Sequence, residues 1–204
     1  AGLLEINVDA ATAAGTDIKF PVGGSTEVSN ISFVHFVTND SLDQEEEVDL
    51  SGVALDMSID VTPDARFELI FDPTVGDILS GRGTGNIEMS VSQAGEFAMR
   101  GQVNVAEGDY LFTLRNVVNK RFQIMPGGSI VWYGDPFDAQ LDLQAVYKLR
   151  APLYDIMFEK NDAYRKRVPV EVVMHLRDKL MNPQIDFGVR LPTVDEGVRT
   201  QVNS

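Results

Sequence analysis

Three observations predict an all-β fold: a long sheet, rich in antiparallel pairs, with one apolar face. Apolar and polar residues alternate over nearly the whole chain, the period that sends successive side chains to opposite faces of a strand. Short breakers punctuate the alternation: "DPTVGD", "GRGTGN", "SQAGE", "AEGD", "MPGG", "YGDPFDA" and "MNP". Helical periodicity is almost absent. One strand-rich domain over residues 1–204 is the expected organisation, and the strand-like start "AGLLEINVDA" and the ending "VRTQVNS" are expected of a fragment of a longer protein.

Residues 1–52 read as a less distinct strand-rich start that ends in the acidic "NDSLDQEEEVD" (Asn39 to Asp49), whose composition predicts a solvated loop. From Val53 the stripes are regular. Leu55, Met57 and Ile59 come first, then Phe67, Leu69 and Phe71, then Ile87, Met89 and Val91. Phe97, Met99, Gly101, Val103 and Val105 follow, and then Tyr110, Phe112 and Leu114. "PGGSIVWYGDPFDAQLDLQAVYKL" (Pro126 to Leu149) holds two strands, one with Ile130 and the only tryptophan, Trp132, the other with Leu141, Leu143, Ala145, Tyr147 and Leu149. Gly127 and Gly128 permit a sharp bend where two strands meet, and Pro136 after Asp135 fixes the intervening turn. "APLYDIMF" (Ala151 to Phe158) offers a turn or two of helix with Pro152 in its first turn. Val168, Val170, Val172, Met174 and Leu176, then Ile185, Phe187, Val189 and Leu191, complete the set. Strands of about nine residues measure roughly 30 Å. Their short connections predict that sequence neighbours pair antiparallel.

A net charge of −14 argues against nucleic acid, whose phosphates need clustered Lys and Arg. The apolar runs fall far short of the roughly 20 residues a membrane-spanning helix needs. With no cysteine, disulfide and thiol chemistry are excluded, and composition leaves the compartment open. His35 and His175 share no metal-type spacing and read as structural histidines. Asp56 with Asp60, and Asp138 with Asp142, fall on one strand face but over about 10 Å apart, too far for most acid and base pairs. "GRGTGN" precedes a strand rather than a helix, so it reads as a glycine turn and not a phosphate cradle. The acidic segment Asp40 to Asp49 lacks the D-x-D-x-D-G order of a calcium loop. Lys160, Arg165, Lys166 and Arg167 form a basic loop over 160–167, read as solvated, with lipid head groups or an acidic partner as the alternative. No cofactor and no catalytic set is expected.

Leaving ten stripe side chains wet would cost on the order of 15 to 30 kcal/mol, which no domain carries. With so little helix to cover it, the sheet must curl on itself as a sandwich, a barrel or a folded trough, and unfilled space would suit an apolar ligand.

From Val53 onward the chain resembles the C-terminal domain of the TamB family. The resemblance is carried by "LDMSIDVTPDARFELIFDPTVGDILSGRGTGNIEM", "GDYLFTLRNVVNKRFQIMPGGSIVWYGDPFDAQLDLQAVYKLRA" and "RVPVEVVMHLRDKLMNPQIDFGVRLP". It implies a long curved sheet folded into a taco-like trough with an apolar concave face, holding phospholipid or detergent and lined by the stripe residues named above other than Gly101, Val105, Ala145, Leu149, Val168, Leu176 and Leu191. It implies a periplasmic location, an inner-membrane anchor in the full-length protein, and an outer-membrane barrel of the TamA type as partner. The implied role is phospholipid passage between membranes and support of outer-membrane protein assembly. The alternative is a chaperone-like module that binds strands of unfolded outer-membrane proteins. An open trough of this kind predicts that Leu143→Arg leaves the fold recognisable.

Overall fold

The computed structural model describes residues 4–22, 53–72, 76–114, 118–154 and 162–193. In chain order the strands are β1 (Leu4–Ala11), β2 (Asp17–Pro21), β3 (Val53–Val61), β4 (Arg66–Asp72), β5 (Asp77–Val91), β6 (Phe97–Leu114), β7 (Val118–Ile124), β8 (Gly128–Gly134), β9 (Gln140–Ala151), β10 (Val168–Lys179) and β11 (Gln184–Arg190). They join in one mixed sheet, and the one helical element among the described residues is a 3-10 turn at Asp162–Arg165. The predicted all-β class is the observed one.

β5 and β6 are the spine, 15 and 18 residues long and paired from Ile78↔Leu111 to Val91↔Phe97. The strands beside them are shorter, and each covers half. On one side β3 pairs with Gly85–Val91 and β4 with the Asp77–Gly81 half. On the other, β8 pairs with Met99–Val105 and β7 with Gly108–Leu114. β1 and β2 extend the sheet by pairing parallel with β3 and β4. Consecutive strands β3 and β4 therefore run in one direction, end to end, as do β7 and β8. This departs from the antiparallel expectation: their connections jog the chain along a longer partner instead of reversing it.

The jogs align across the sheet. Thr12–Thr16, Thr62–Ala65, the β5–β6 register shift at Arg82/Gly83 and the break at Met125–Gly127 lie side by side. The line keeps its backbone satisfied: the Thr62 amide donates to Thr12 Oγ1 (2.8 Å) and the Thr62 hydroxyl to the Thr12 carbonyl (2.9 Å). "GRGTGN" falls within β5, correcting its reading as a turn. A Cβ on Gly85 would lie 1.9 Å from the Gln102 carbonyl oxygen, so glycine is there to let two backbones approach, not to reverse the chain. "AEGD" likewise lies inside β6. The extra residue there shifts the core-side set from Val103 and Val105 to Tyr110 and Phe112.

One contiguous cluster forms the main core, from Leu69 and Leu79 through Val105, Ile130 and Leu143 to Met174, Leu176 and Leu180. Rings from distant strands meet within it. Phe112 of β6 and Phe187 of β11 are 5.6 Å apart between centroids, and Phe20 of β2 meets Phe137 of the β8–β9 turn at 5.5 Å. The sheet thus curls on itself, as the accumulated twist of many strands allows. A smaller cluster joins Leu153, Val170 and Leu191. Ala151 ends β9 instead of opening a helix, because it pairs with Val168; residues 155–158 lie outside the described residues, as do His35 and the acidic segment 40–49.

Candidate functional site

Register decides which side chains share a face. Leu55, Met57 and Ile59 lie opposite Val91, Met89 and Ile87, which in turn lie opposite Phe97, Met99 and Gly101. Gly101 pairs with Trp132, Val103 with Ile130, and Ile130 with Leu141. Leu143 pairs with Leu176, Met174 with Phe187, and Val172 with both Tyr147 and Val189. On the other half Phe67 and Leu69 face Gly81 and Leu79, and Leu79 faces Tyr110. All the predicted stripes with described side chains therefore share the core-side face; the side chain of Leu114 lies outside the described residues.

Burial divides that face. Leu69, Ile87, Val91, Val103, Tyr110, Phe112, Ile130, Trp132, Leu141, Leu143, Val170 and Met174 are buried. Leu55, Met57, Ile59, Phe67, Phe71, Met89, Phe97, Met99, Tyr147, Val172, Ile185 and Val189 are half-buried, and Phe187 is 53% exposed. β1 adds Leu4 and Ile6 to the same face, 54% and 38% exposed. The apolar face is thus packed along the jog line and over β9 and β10, and open toward β1 and β3 at one end and at Phe187 on the other. Sequence reasoning missed Leu79, whose flanking glycines read as a turn, and Phe122 and Ile124, whose stripe is interrupted by Lys120.

Polar chemistry is sparse. His175 points to the opposite face and bonds Gln144. Asp138 pairs with Lys179 at 2.6 Å, and Asp60 accepts from Asn86 at 2.9 Å. In the basic loop, Arg165 pairs with Asp162 at 2.8 Å and lies 4.3 Å from the Tyr154 ring centroid. Among the described residues no group of three acidic, His or Cys side chains could hold a metal.

A polar pair sits on the core side, Tyr110 buried and Asp77 half-buried. The Tyr110 hydroxyl donates to Asp77, whose Oδ1 is buried with no hydrogen-bond partner among the described residues. Burial pushes the Asp77 carboxyl above the ordinary aspartate value and the facing Asp72 adds to this, while the Tyr110 bond opposes it. Burial and the Asp77 charge likewise push the Tyr110 phenol well up. A raised folded pKa means that the folded state holds the proton more tightly than the unfolded chain. Asp77's stabilising contribution is present in full below the unfolded value of 3.8 and is lost as pH rises through the folded value. Asp77→Asn is expected to raise the thermal midpoint at pH 7 and to flatten the dependence of stability on pH above the unfolded value. Calorimetry across pH checks it.

The described strands make one mixed all-β sheet whose apolar stripes share a face. The chain belongs to the TamB family: the model of the TamB C-terminal domain matches residues 2–204. A search of curated proteins finds no match. The family acts in the translocation and assembly module of the outer membrane with TamA, spans the periplasm in association with membranes, and is not a known enzyme family. Among the described residues no helix is long and apolar enough to cross a membrane.

Proposed function

We propose that the core-side face accommodates phospholipid acyl chains, so that this domain serves as a lipid-conducting segment of an inner-membrane-anchored protein while supporting outer-membrane protein assembly. The observation that carries this reading is the uneven burial of a single apolar face. Leu4, Ile6, Leu55, Met57, Met89 and Met99 remain open or half-open beside a packed floor of Ile87, Val103 and Trp132. An exposed apolar surface of this kind marks a binding site in soluble proteins. A sixteen-carbon chain laid on it would gain of order 10 kcal/mol before ordering costs, at about 0.8 kcal/mol per methylene. Such binding needs no sequence-specific contact, which suits passage better than storage.

Photoreactive residues test it. Placed at Met57, Met89 or Met99 they are expected to capture several-fold more phospholipid than at Glu88 or Asp142 on the opposite face; equal labelling of the two faces counts against the proposal. A second reading, capture of unfolded outer-membrane strands, is favoured by β1. This edge strand pairs only with β3 among the described residues and is exposed over most of its length. Such an edge is a template for strand addition. A barrel-strand peptide that binds and resists displacement by lipid would support that reading.

A further inference from the structure

The cations of the described strands obey a rule with one exception. Lys19, Arg66, Arg82, Arg100, Arg121, Lys148, Arg150, Arg177, Lys179 and Arg190 all take register positions on the face away from the core. Lys120 alone lies on the core side, opposite Phe112 and in the same alternation as Phe122 and Ile124. In a chain of net charge −14, a single cation on the apolar face calls for a partner.

Its surroundings are a wall of rings. Lys120 is exposed, with Nζ 5.8 Å from the centroid of Tyr147. Tyr147 adjoins Phe122 at 5.7 Å, and Phe122 adjoins Phe112 and Phe187 at 6.3 and 6.2 Å. The lysine makes no ion pair among the described residues. The nearest core-side carboxylate by register is Asp77, about 10 Å away across Phe112 and bonded to Tyr110.

Strand pairing among the described residues is also sparse beside this residue. β9 pairs with β10 along its whole length, from Gln140↔Lys179 to Ala151↔Val168. With β7 it pairs only at Gln123↔Val146 and Ile124↔Ala145. From Phe122 toward Val118, β7 pairs with β6 alone among the described residues. The seam between β7 and β9 therefore opens at the point where Lys120 and Tyr147 flank it, and behind them lies the exposed Phe187.

We propose that Lys120 at this seam binds the phosphate of a phospholipid whose acyl chain lies on Phe112, Phe122 and Phe187. An ammonium held on an aromatic rim is suited to a phosphate at the boundary between water and an apolar wall, its methylene stem covering the rings while its head stays wet. The inference rests on the lipid reading above and adds a fixed head-group position to it.

The test compares two ligands of identical acyl chain, lysophosphatidylglycerol and uncharged monoacylglycerol, titrated below their micelle concentrations into the whole chain and followed by calorimetry. The wild-type protein is expected to prefer the phosphate-bearing ligand roughly fivefold, the scale of one exposed charged contact, with the preference shrinking as salt rises. Lys120→Met, which keeps the apolar stem, should erase the preference and leave monoacylglycerol binding unchanged; Lys120→Arg should retain it. Wild-type protein that binds both ligands equally, or a Lys120→Met preference equal to wild type, overturns the head-group assignment and spares the lipid reading. Failure of both ligands to bind overturns the two together. Displacement of the lysolipid by inorganic phosphate at matched concentration would reveal a free-anion site and would also overturn the assignment.

Discussion

Leu143→Arg is expected to unfold the domain, or to leave it so unstable that its cooperative transition is lost at ordinary temperature. Leu143 is 2% exposed, pairs with Leu176 (1%), and adjoins Met174 (0%) and Ala145 (1%) in the core. On its other side it packs so closely on Gly128 that a Cβ there would come within 2.8 Å of a Leu143 methyl. An arginine would forfeit about 1.5 to 3 kcal/mol of apolar burial and bury an uncompensated charge at about 3 to 5 kcal/mol more. That sum is comparable with the whole stability of an ordinary domain, about 5 to 15 kcal/mol. This corrects the expectation that the fold would tolerate the charge, because the apolar face is closely packed at Leu143. Ile6→Arg, on the same face but open to solvent, should shift the urea midpoint only slightly. Equal midpoints for Leu143→Arg and wild type would mean that the packed floor is not packed.

The contrast between these two positions shows how far the sequence could be read. Alternation assigned Ile87, Met89 and Val91 to one face because a strand has one period and that period is visible in the letters. It could not say which part of that face is packed, because burial of Leu143 and partial exposure of Met89 depend on which strands lie across from them. Nor does periodicity encode a partner: the parallel pairing of β1 with β3 leaves no trace in either segment. The glycines of "GRGTGN" misled for a physical reason. A glycine that reverses a chain and one that admits a neighbouring carbonyl are the same letter, and here Gly85 does the second. Lys120 was legible in principle, since it breaks the alternation of Val118, Phe122 and Ile124, but only the register with Phe112 places it on the core side.

Gly101→Val is expected to cost at least about 3 kcal/mol and to lower the thermal midpoint by roughly 10 °C. Two independent constraints meet at this residue. Its φ is +125°, a conformation side-chain-bearing residues rarely adopt, and a Cβ would lie 2.1 Å from the Asn86 carbonyl oxygen and 3.1 Å from the Ile87 Cα. Both neighbours are backbone, so no rotamer change relieves the contact; the β5–β6 ladder must part locally. Gly95→Ala separates the two causes, because Gly95 also has positive φ (+80°) yet open space around its would-be Cβ. It should cost about 1 kcal/mol, the conformational part alone. Gly101 lies opposite Trp132, a residue 7% exposed whose Nε1 donates to the Pro136 carbonyl at 3.1 Å. As the only tryptophan, Trp132 reports the site directly: Gly101→Val should redden its emission and admit a quencher, and Gly95→Ala should do neither. Because the packed floor of the proposed lipid surface rests on this same contact, a Gly101→Val protein with wild-type stability and unchanged tryptophan emission would show that β5 and β6 do not approach there as closely as the floor requires.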